Sequence, residues 1–360
     1  MREKVLNTAR RLCDTMMTNF KSAKDLPPEK LFHYHQGVFL SGMMNNYKLT
    51  GEEKYFDYIK AWVDSIIQED GTIDTYDPTR LDDIQPGILL FPLYERSKEE
   101  KYKIALGTLI DILRNWKKNN SGGFWHKDMH PNQMWLDSLY MGGPIQAEYA
   151  VFSGETKFLD EAAEQAVIMY ENMLDSKTGL MFHAWDESKE VEWADPVTGL
   201  SPEIWGRAQG WYVVAILDIL QFMPEKHPRR EKLIEIEKEI LASIMKYRDT
   251  EKKMWYQVID KGDREGNWIE TSCSCLFTAA IAKAVYMGIL DKSYTDYVNE
   301  CFDAIYDSVE KKGDEIYVNK VCVGTGVKDY QGYIERPTVA NDLHGVGAFL
   351  LMCAEVARIN

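Results

Sequence analysis

The chain has 360 residues, with 42 Lys+Arg against 57 Asp+Glu and a formal net charge of −15. That acidic balance, without a Lys/Arg-rich stretch, argues against nucleic acid as a partner, and no run approaches the roughly 18 apolar residues that would cross a membrane. A hydrophobic fraction of 45% and a charged fraction of 28% describe a soluble globular chain with a large core. The opening MREKVLNTARRLCDTMMTNF has no continuous apolar region, so no signal peptide is expected, and the six cysteines read as reduced thiols of a cytoplasmic protein.

Along the chain the dominant signal is helical and repeats. Six segments open with a small residue and continue as a mostly apolar helix, at Gly37, Gly87, Gly143, Gly210, Thr278 and Gly347. Their spacings of 50, 56, 67, 68 and 69 residues each leave room for that helix, a second helix and a loop. The first and third units share a turn, Thr50-Gly51-Glu52 against Ser153-Gly154-Glu155. Trp211 to Leu220 is apolar almost all round, as for a helix enclosed by neighbours. The segment after it carries Leu233, Ile236, Ile240, Ile244 and Tyr247 on one stripe, as for an outer helix with one wet face.

Six buried and six amphipathic helices predict an all-α fold, an (α/α)6 barrel that closes on itself. Short β-like pieces at 122–126, 179–185, 254–258 and 316–319 predict small hairpins in the loops at the barrel rim. No linker or composition break appears, so residues 1–360 are expected to form one domain.

The chemically distinctive residues gather just upstream of the apolar helices. They are His33-Tyr34-His35, Asp82-Asp83, His126-Lys127 with His130, Trp135-Leu136-Asp137, His183, Trp205-Gly206-Arg207, and Asn341-Asp342-Leu343-His344. In a toroid the inner helices run parallel, so these groups line one mouth. Helix N-termini and cations there suit an anionic ligand, and the Trp and Tyr faces suit sugar rings.

Two readings stand for Asp137: a cap for the following helix, or an acid whose burial beside Trp135 raises its proton affinity. Asp82 has the same two readings. A pair of carboxylates sharing one site would raise each other's proton affinity. His126 and His130 are spaced i, i+4, but Gly122-Gly123 before them and Pro131 after them disfavour a helix, and HExxH is absent, so no metal is expected. Cys273-Ser274-Cys275 lacks a second cysteine pair and reads as core.

From His33 to the last helix the sequence resembles the unsaturated rhamnogalacturonyl hydrolases, glycoside hydrolase family 105, relatives of the family 88 unsaturated glucuronyl hydrolases. The resemblance is carried by His33-Tyr-His-Gln-Gly37, Leu81-Asp-Asp-Ile-Gln-Pro-Gly87, Gly122-Gly-Phe-Trp-His-Lys127, Gln133-Met-Trp-Leu-Asp137 through Pro144, Trp205-Gly-Arg207 and Arg336 to Gly347. It implies the (α/α)6 barrel, a general acid/base at Asp137 and a paired carboxylate at Asp82 rather than Asp83. It also implies sugar contacts from Tyr34, His126, Lys127, His183, Trp205, Arg207 and Trp211. His344 departs from the resemblance, standing where a Lys is expected, and so does Cys273-Ser274-Cys275.

The implied activity releases a 4,5-unsaturated galacturonic acid from pectin-derived oligosaccharides by hydrating an enol ether, without cofactor. Three alternatives remain at this stage. They are a glucuronyl preference, a sugar isomerase or epimerase using His183 and His344, and a non-catalytic sugar-binding toroid.

Overall fold

The computed structural model describes residues 1–28 and 31–360. In chain order its helices begin with α1 (Arg2–Asn19), α2 (Tyr34–Thr50), α3 (Glu53–Val63), α4 (Leu90–Ser97), α5 (Glu100–Arg114), α6 (Asp137–Ser153) and α7 (Lys157–Met173). They continue with α8 (Gly206–Phe222), α9 (Arg230–Lys246), α10 (Thr271–Tyr286), α11 (Thr295–Ser308), the short α12 (Tyr330–Ile334) and α13 (Leu343–Ile359). Helices α8, α10 and α13 are buried along nearly their whole length, because apolar residues occupy every face. In α9, Leu233, Ile236, Ile240 and Ile244 are buried while the charged positions between them mostly face water.

The inner helices pack in sequence: α2 on the 3₁₀ turn before α4, that turn on α6, then α6 on α8, α8 on α10, α10 on α13, and α13 back on α2. The amphipathic α3, α5, α7, α9 and α11 each follow an inner helix and pack outside it, and α1 lies against α13 and α2. This is the expected (α/α)6 barrel. The N-terminal helix supplies the outer partner of the last inner one.

The inner helices begin two to seven residues before the small residues that mark the repeat. Those glycines are contact points inside the helices rather than their starts. A Cβ on Gly347 would lie 2.5 Å from the backbone C and O of Val38, and one on Gly42 would lie 2.8 Å from the carbonyl of Gly347. Gly347→Ala gains about 1 kcal/mol of helix propensity but drives a methyl into backbone that cannot rotate away, an overpacking penalty of about 3 kcal/mol. A net loss near 2 kcal/mol is expected in urea unfolding; unchanged stability would show that α2 and α13 do not meet here.

The turn shared by the first and third units has a simple cause. Gly51 (φ +70°) and Gly154 (φ +81°) end α2 and α6 in the left-handed conformation, each N–H donating to a carbonyl four residues back.

Three small antiparallel pairs decorate the rim: β1 (Gln133–Trp135) with β2 (Ala184–Asp186), β3 (Glu310–Lys312) with β4 (Glu315–Tyr317), and β5 (Val321–Cys322) with β6 (Thr338–Val339). Only the β3–β4 pair is a local hairpin, at one predicted place. The 179–185 piece bridges locally, Leu174 to Met181, and its end also pairs at long range with the strand that leads into α6. The 122–126 and 254–258 pieces form single bridges, Lys118 to Phe124, Trp205 to Val258 and Tyr256 to Ile269.

Candidate active site

The β1–β2 pair sets the chemistry of the mouth. Trp135 faces Ala184 in register, and the Leu136 N–H donates to the His183 carbonyl at 3.0 Å, which places Asp137 beside His183. Asp137 is the first residue of α6, and no side chain caps that helix, so the capping reading is not what the geometry gives. Its Oδ2 lies 3.1 Å from His183 Nε2, and His183 Nδ1 lies 2.5 Å from the Tyr333 hydroxyl.

The expectation that burial raises the proton affinity of Asp137 is reversed. Burial does push it up, but the hydrogen bond and charge of His183, with help from His126, hold it below the ordinary carboxylate value.

Asp82 and Asp83 part ways. Asp83 is occupied, with Oδ1 2.5 Å from His33 Nδ1 and Oδ2 accepting the Asp77 N–H at 2.7 Å. Asp82 is buried and pairs with Lys127 Nζ at 2.7 Å. Burial again opposes its ionisation, but His126, Lys127 and His33 outweigh it and bring the carboxyl to about 2. The two carboxylates therefore do not raise each other above the ordinary range, because Lys127 beside Asp82 and the histidines around both outweigh burial.

This depressed Asp82 stabilises the folded chain above the unfolded-state value near 4, and the contribution disappears as pH falls toward 2. Lys127→Met is expected to move the Asp82 titration upward, read by carboxyl-carbon NMR; an unmoved midpoint would remove Lys127 from this role.

Aromatic faces enclose the carboxylates. Trp135 stacks on His126 (4.3 Å between centroids) and on His130 (5.2 Å), and its edge meets His183. His126 is anchored by Ser138 Oγ at 2.9 Å from Nδ1, and burial lowers its proton affinity to about 4. Trp205 packs on His183 at 4.8 Å and on Tyr333 at 5.8 Å, and its indole N–H donates to Gln257.

Tyr34 sits among His33, His35 and His344, and Arg207, Asp82 and Asp137 all act electrostatically on it, so these groups share one enclosure. Arg207 is buried, with its guanidinium 4.5 Å from the Trp205 ring, and it donates to the carbonyls of Cys322 and Val323 and to Ser272. Its charge is spent on holding β5 rather than standing open as a fork. Trp211 lies deeper, against Tyr140 at 4.5 Å.

The sequence reading missed Tyr333 and Glu270. Tyr333 lies in α12, away from any inner-helix start. Glu270 caps α10 and accepts from Cys273 N, Ser272 Oγ and Cys322 N, which fixes β5 from the other side. A separate cavity of about 260 Å³ lies toward the C-terminal ends of the inner helices, between Gln85, Tyr140, Glu148, Lys283 and Glu355. No histidine and neither Asp82 nor Asp137 lines it.

A closed ring of parallel inner helices, with carboxylates, cations and flat aromatic faces at its N-terminal mouth, defines a glycoside-processing toroid. Residues 8–360 match the model of Glycosyl Hydrolase Family 88, and the chain belongs to that family. Among solved structures, a family 105 glycoside hydrolase of Clostridium acetobutylicum ATCC 824 is 35% identical, with a TM-score of 0.92 over 97% of this chain and 98% of that one. The unsaturated rhamnogalacturonyl hydrolase YesR of Bacillus subtilis is 26% identical over 329 residues, 89% of this chain and 88% of its own. The unsaturated glucuronyl hydrolase of Bacillus sp. GL1, at 13% identity, shares the fold with a TM-score of 0.73 over 98% of this chain and 96% of that one. The chain is therefore a glycosidase of the unsaturated-uronide class.

Proposed function

We propose that this glycosidase releases a 4,5-unsaturated galacturonic acid from the non-reducing end of rhamnogalacturonan-derived oligosaccharides, the short products of a pectin lyase. The observation that carries this reading is the pair of carboxylates, the part-exposed Asp137 against His183 and the buried Asp82 against Lys127, at neighbouring mouths of one aromatic-walled ring. The likeness to YesR supports the rhamnose-linked substrate.

In this reading the reaction is hydration of the C4=C5 enol ether. Asp137 gives a proton to C4, oxocarbenium character develops at C5, and Asp137 takes a proton from the water that attacks C5. The hemiketal then opens and expels the aglycone, so the separation rule for ordinary glycosidase carboxylates does not apply. Asp82 stabilises the positive charge at C5 and keeps Lys127 in place.

Because His183 holds Asp137 ionised in the free enzyme, the acid form arises as the uronate, itself an anion, enters the buried mouth and raises the proton affinity of Asp137. Lys127 supplies a cation and His126 and His183 hydrogen-bonding groups, while Arg207 acts through β5, which its guanidinium holds beside the mouth. Tyr34 supplies a face for the ring, and the buried Trp205 and Trp211 back it, Trp205 by fixing His183 and Arg207. No cofactor takes part in this chemistry. The whole chain acts as one catalytic domain, and its six unpaired, buried thiols support a cytoplasmic location.

The test is an assay on unsaturated galacturonyl-rhamnose. Loss of the conjugated double bond's ultraviolet absorbance on release of rhamnose is expected. Persistent absorbance, or binding in a calorimeter without turnover, would contradict it. The double bond removes the C4 centre on which galacturonate and glucuronate differ, so faster loss from a disaccharide made from a glucuronide would transfer the proposal to that linkage and aglycone.

A further inference from the structure

His35 on the first turn of α2, with Asp342 and His344 at the start of α13, brings three metal-ligating atoms within 4.8 Å of one another. The seam between α2 and α13 is where the first and last inner helices close the ring. His344 is fully buried, and its Nε2 lies 3.0 Å from the carbonyl of Cys322. A carbonyl only accepts, so Nε2 carries the hydrogen and neutral His344 presents a lone pair at Nδ1. That lone pair is 2.8 Å from Asp342 Oδ1, yet the contact does not have hydrogen-bond geometry, and Nδ1 stands among the buried atoms without a partner.

His35 reaches the same carboxylate from the other helix, through Nε2. Its Nε2 lies 3.9 Å from the same Asp342 oxygen, and its Nδ1 is also buried without a partner. The His344 Nδ1 lone pair and the Asp342 carboxylate, 2.8 Å apart, repel unless a positive charge stands between them. An imidazole whose second nitrogen donates to a backbone carbonyl has the arrangement of a metal-ligating histidine.

The charged groups acting on the cluster are the Arg207 guanidinium against the Asp342 and Glu270 carboxylates. Arg207 spends its donors on Cys322, Val323 and Ser272. The balance therefore leaves room for a cation.

We propose that His35, Asp342 and His344 form a zinc site that clasps α2 to α13 and holds β5 through the Cys322 carbonyl. Two imidazole nitrogens and one carboxylate oxygen are the donor set of a borderline divalent ion such as Zn²⁺. The two distances on Asp342 Oδ1 bracket the separation of neighbouring ligands in a tetrahedral site, about 3.3 Å from the usual bond lengths. The site is a structural one and takes no part in the hydration chemistry.

The test uses the full chain after chelator treatment and dialysis, titrated with Zn²⁺ against a chromophoric indicator, and separately with Co²⁺. One saturable equivalent per chain is expected. Co²⁺ should give intense visible absorption of a low-coordinate site, and the melting temperature should rise with Zn²⁺. Asp342→Asn and His344→Lys should each weaken Zn²⁺ binding by at least about a hundredfold, with His344→Lys placing an ammonium where the ion would sit. His35→Ala, at a partly exposed position, covers the case in which the buried variants fail to fold. Absence of saturable binding, or equal affinity in wild type and His35→Ala, would overturn the site. So would nitrogen NMR showing both ring nitrogens of His344 protonated in metal-free and zinc-treated protein alike, since the charge between the lone pairs would then be a proton.

Discussion

Asp137→Asn is expected to lower turnover at least about a hundredfold, the lower end of general acid–base contributions, while substrate binding persists. The amide keeps the shape and still meets His183, but it cannot deliver a proton to C4 or accept one from water. The ionisation of Asp137 adds a second signature. Its proton affinity in the free enzyme is depressed by the His183 hydrogen bond, so the protonated form is lost as pH rises. The profile of kcat/KM should therefore fall tenfold per pH unit above that low value. The corresponding limb in kcat should sit at higher pH, because the bound uronate raises the proton affinity. A near-normal turnover in the variant would remove Asp137 from the catalytic role, and superimposed limbs would remove the uronate's effect on it.

Arg207→Lys is expected to damage both stability and binding. The guanidinium donates to the carbonyls of Cys322 and Val323 and to Ser272 while lying over Trp205. An ammonium on a flexible stem satisfies at most part of that planar set. A hydrogen bond involving a charged group contributes about 1.5–3 kcal/mol, so losing one or two predicts a drop of about 2–4 kcal/mol in urea unfolding. A higher KM should accompany it as β5 shifts beside the mouth. If stability is unchanged and only KM rises, the guanidinium acts on the substrate rather than on the carbonyls.

The twelve-helix barrel was legible because apolar and amphipathic helices alternate in the chain itself, as in Trp211–Leu220 and the Leu233–Ile244 stripe. The glycines misled about helix starts, because Gly347 is selected by the approach of α13 to Val38, a contact between opposite ends of the chain. Asp82 and Asp137 could be named from local motifs, but not their ionisation. The partner that sets Asp137 is His183, 46 positions away, joined to it by a strand pairing that no short-range pattern encodes. Arg207 was expected only as a sugar contact, and its hold on β5 was hidden for the same reason: its acceptor at Cys322 lies 115 positions on. Tyr333, 150 positions from His183, left no signal at all.

The central claim is that the glycosidic bond breaks through addition of water to a double bond, and heavy water tests it most directly. With unsaturated galacturonyl-rhamnose as substrate in deuterium oxide, the released uronate should carry deuterium at C4, delivered through Asp137. The saturated analogue, which has no double bond to protonate, should remain intact. Rapid cleavage of the saturated uronide, with no deuterium at C4 of the product from the unsaturated one, would contradict hydration and assign Asp82 and Asp137 to a conventional two-carboxylate hydrolysis.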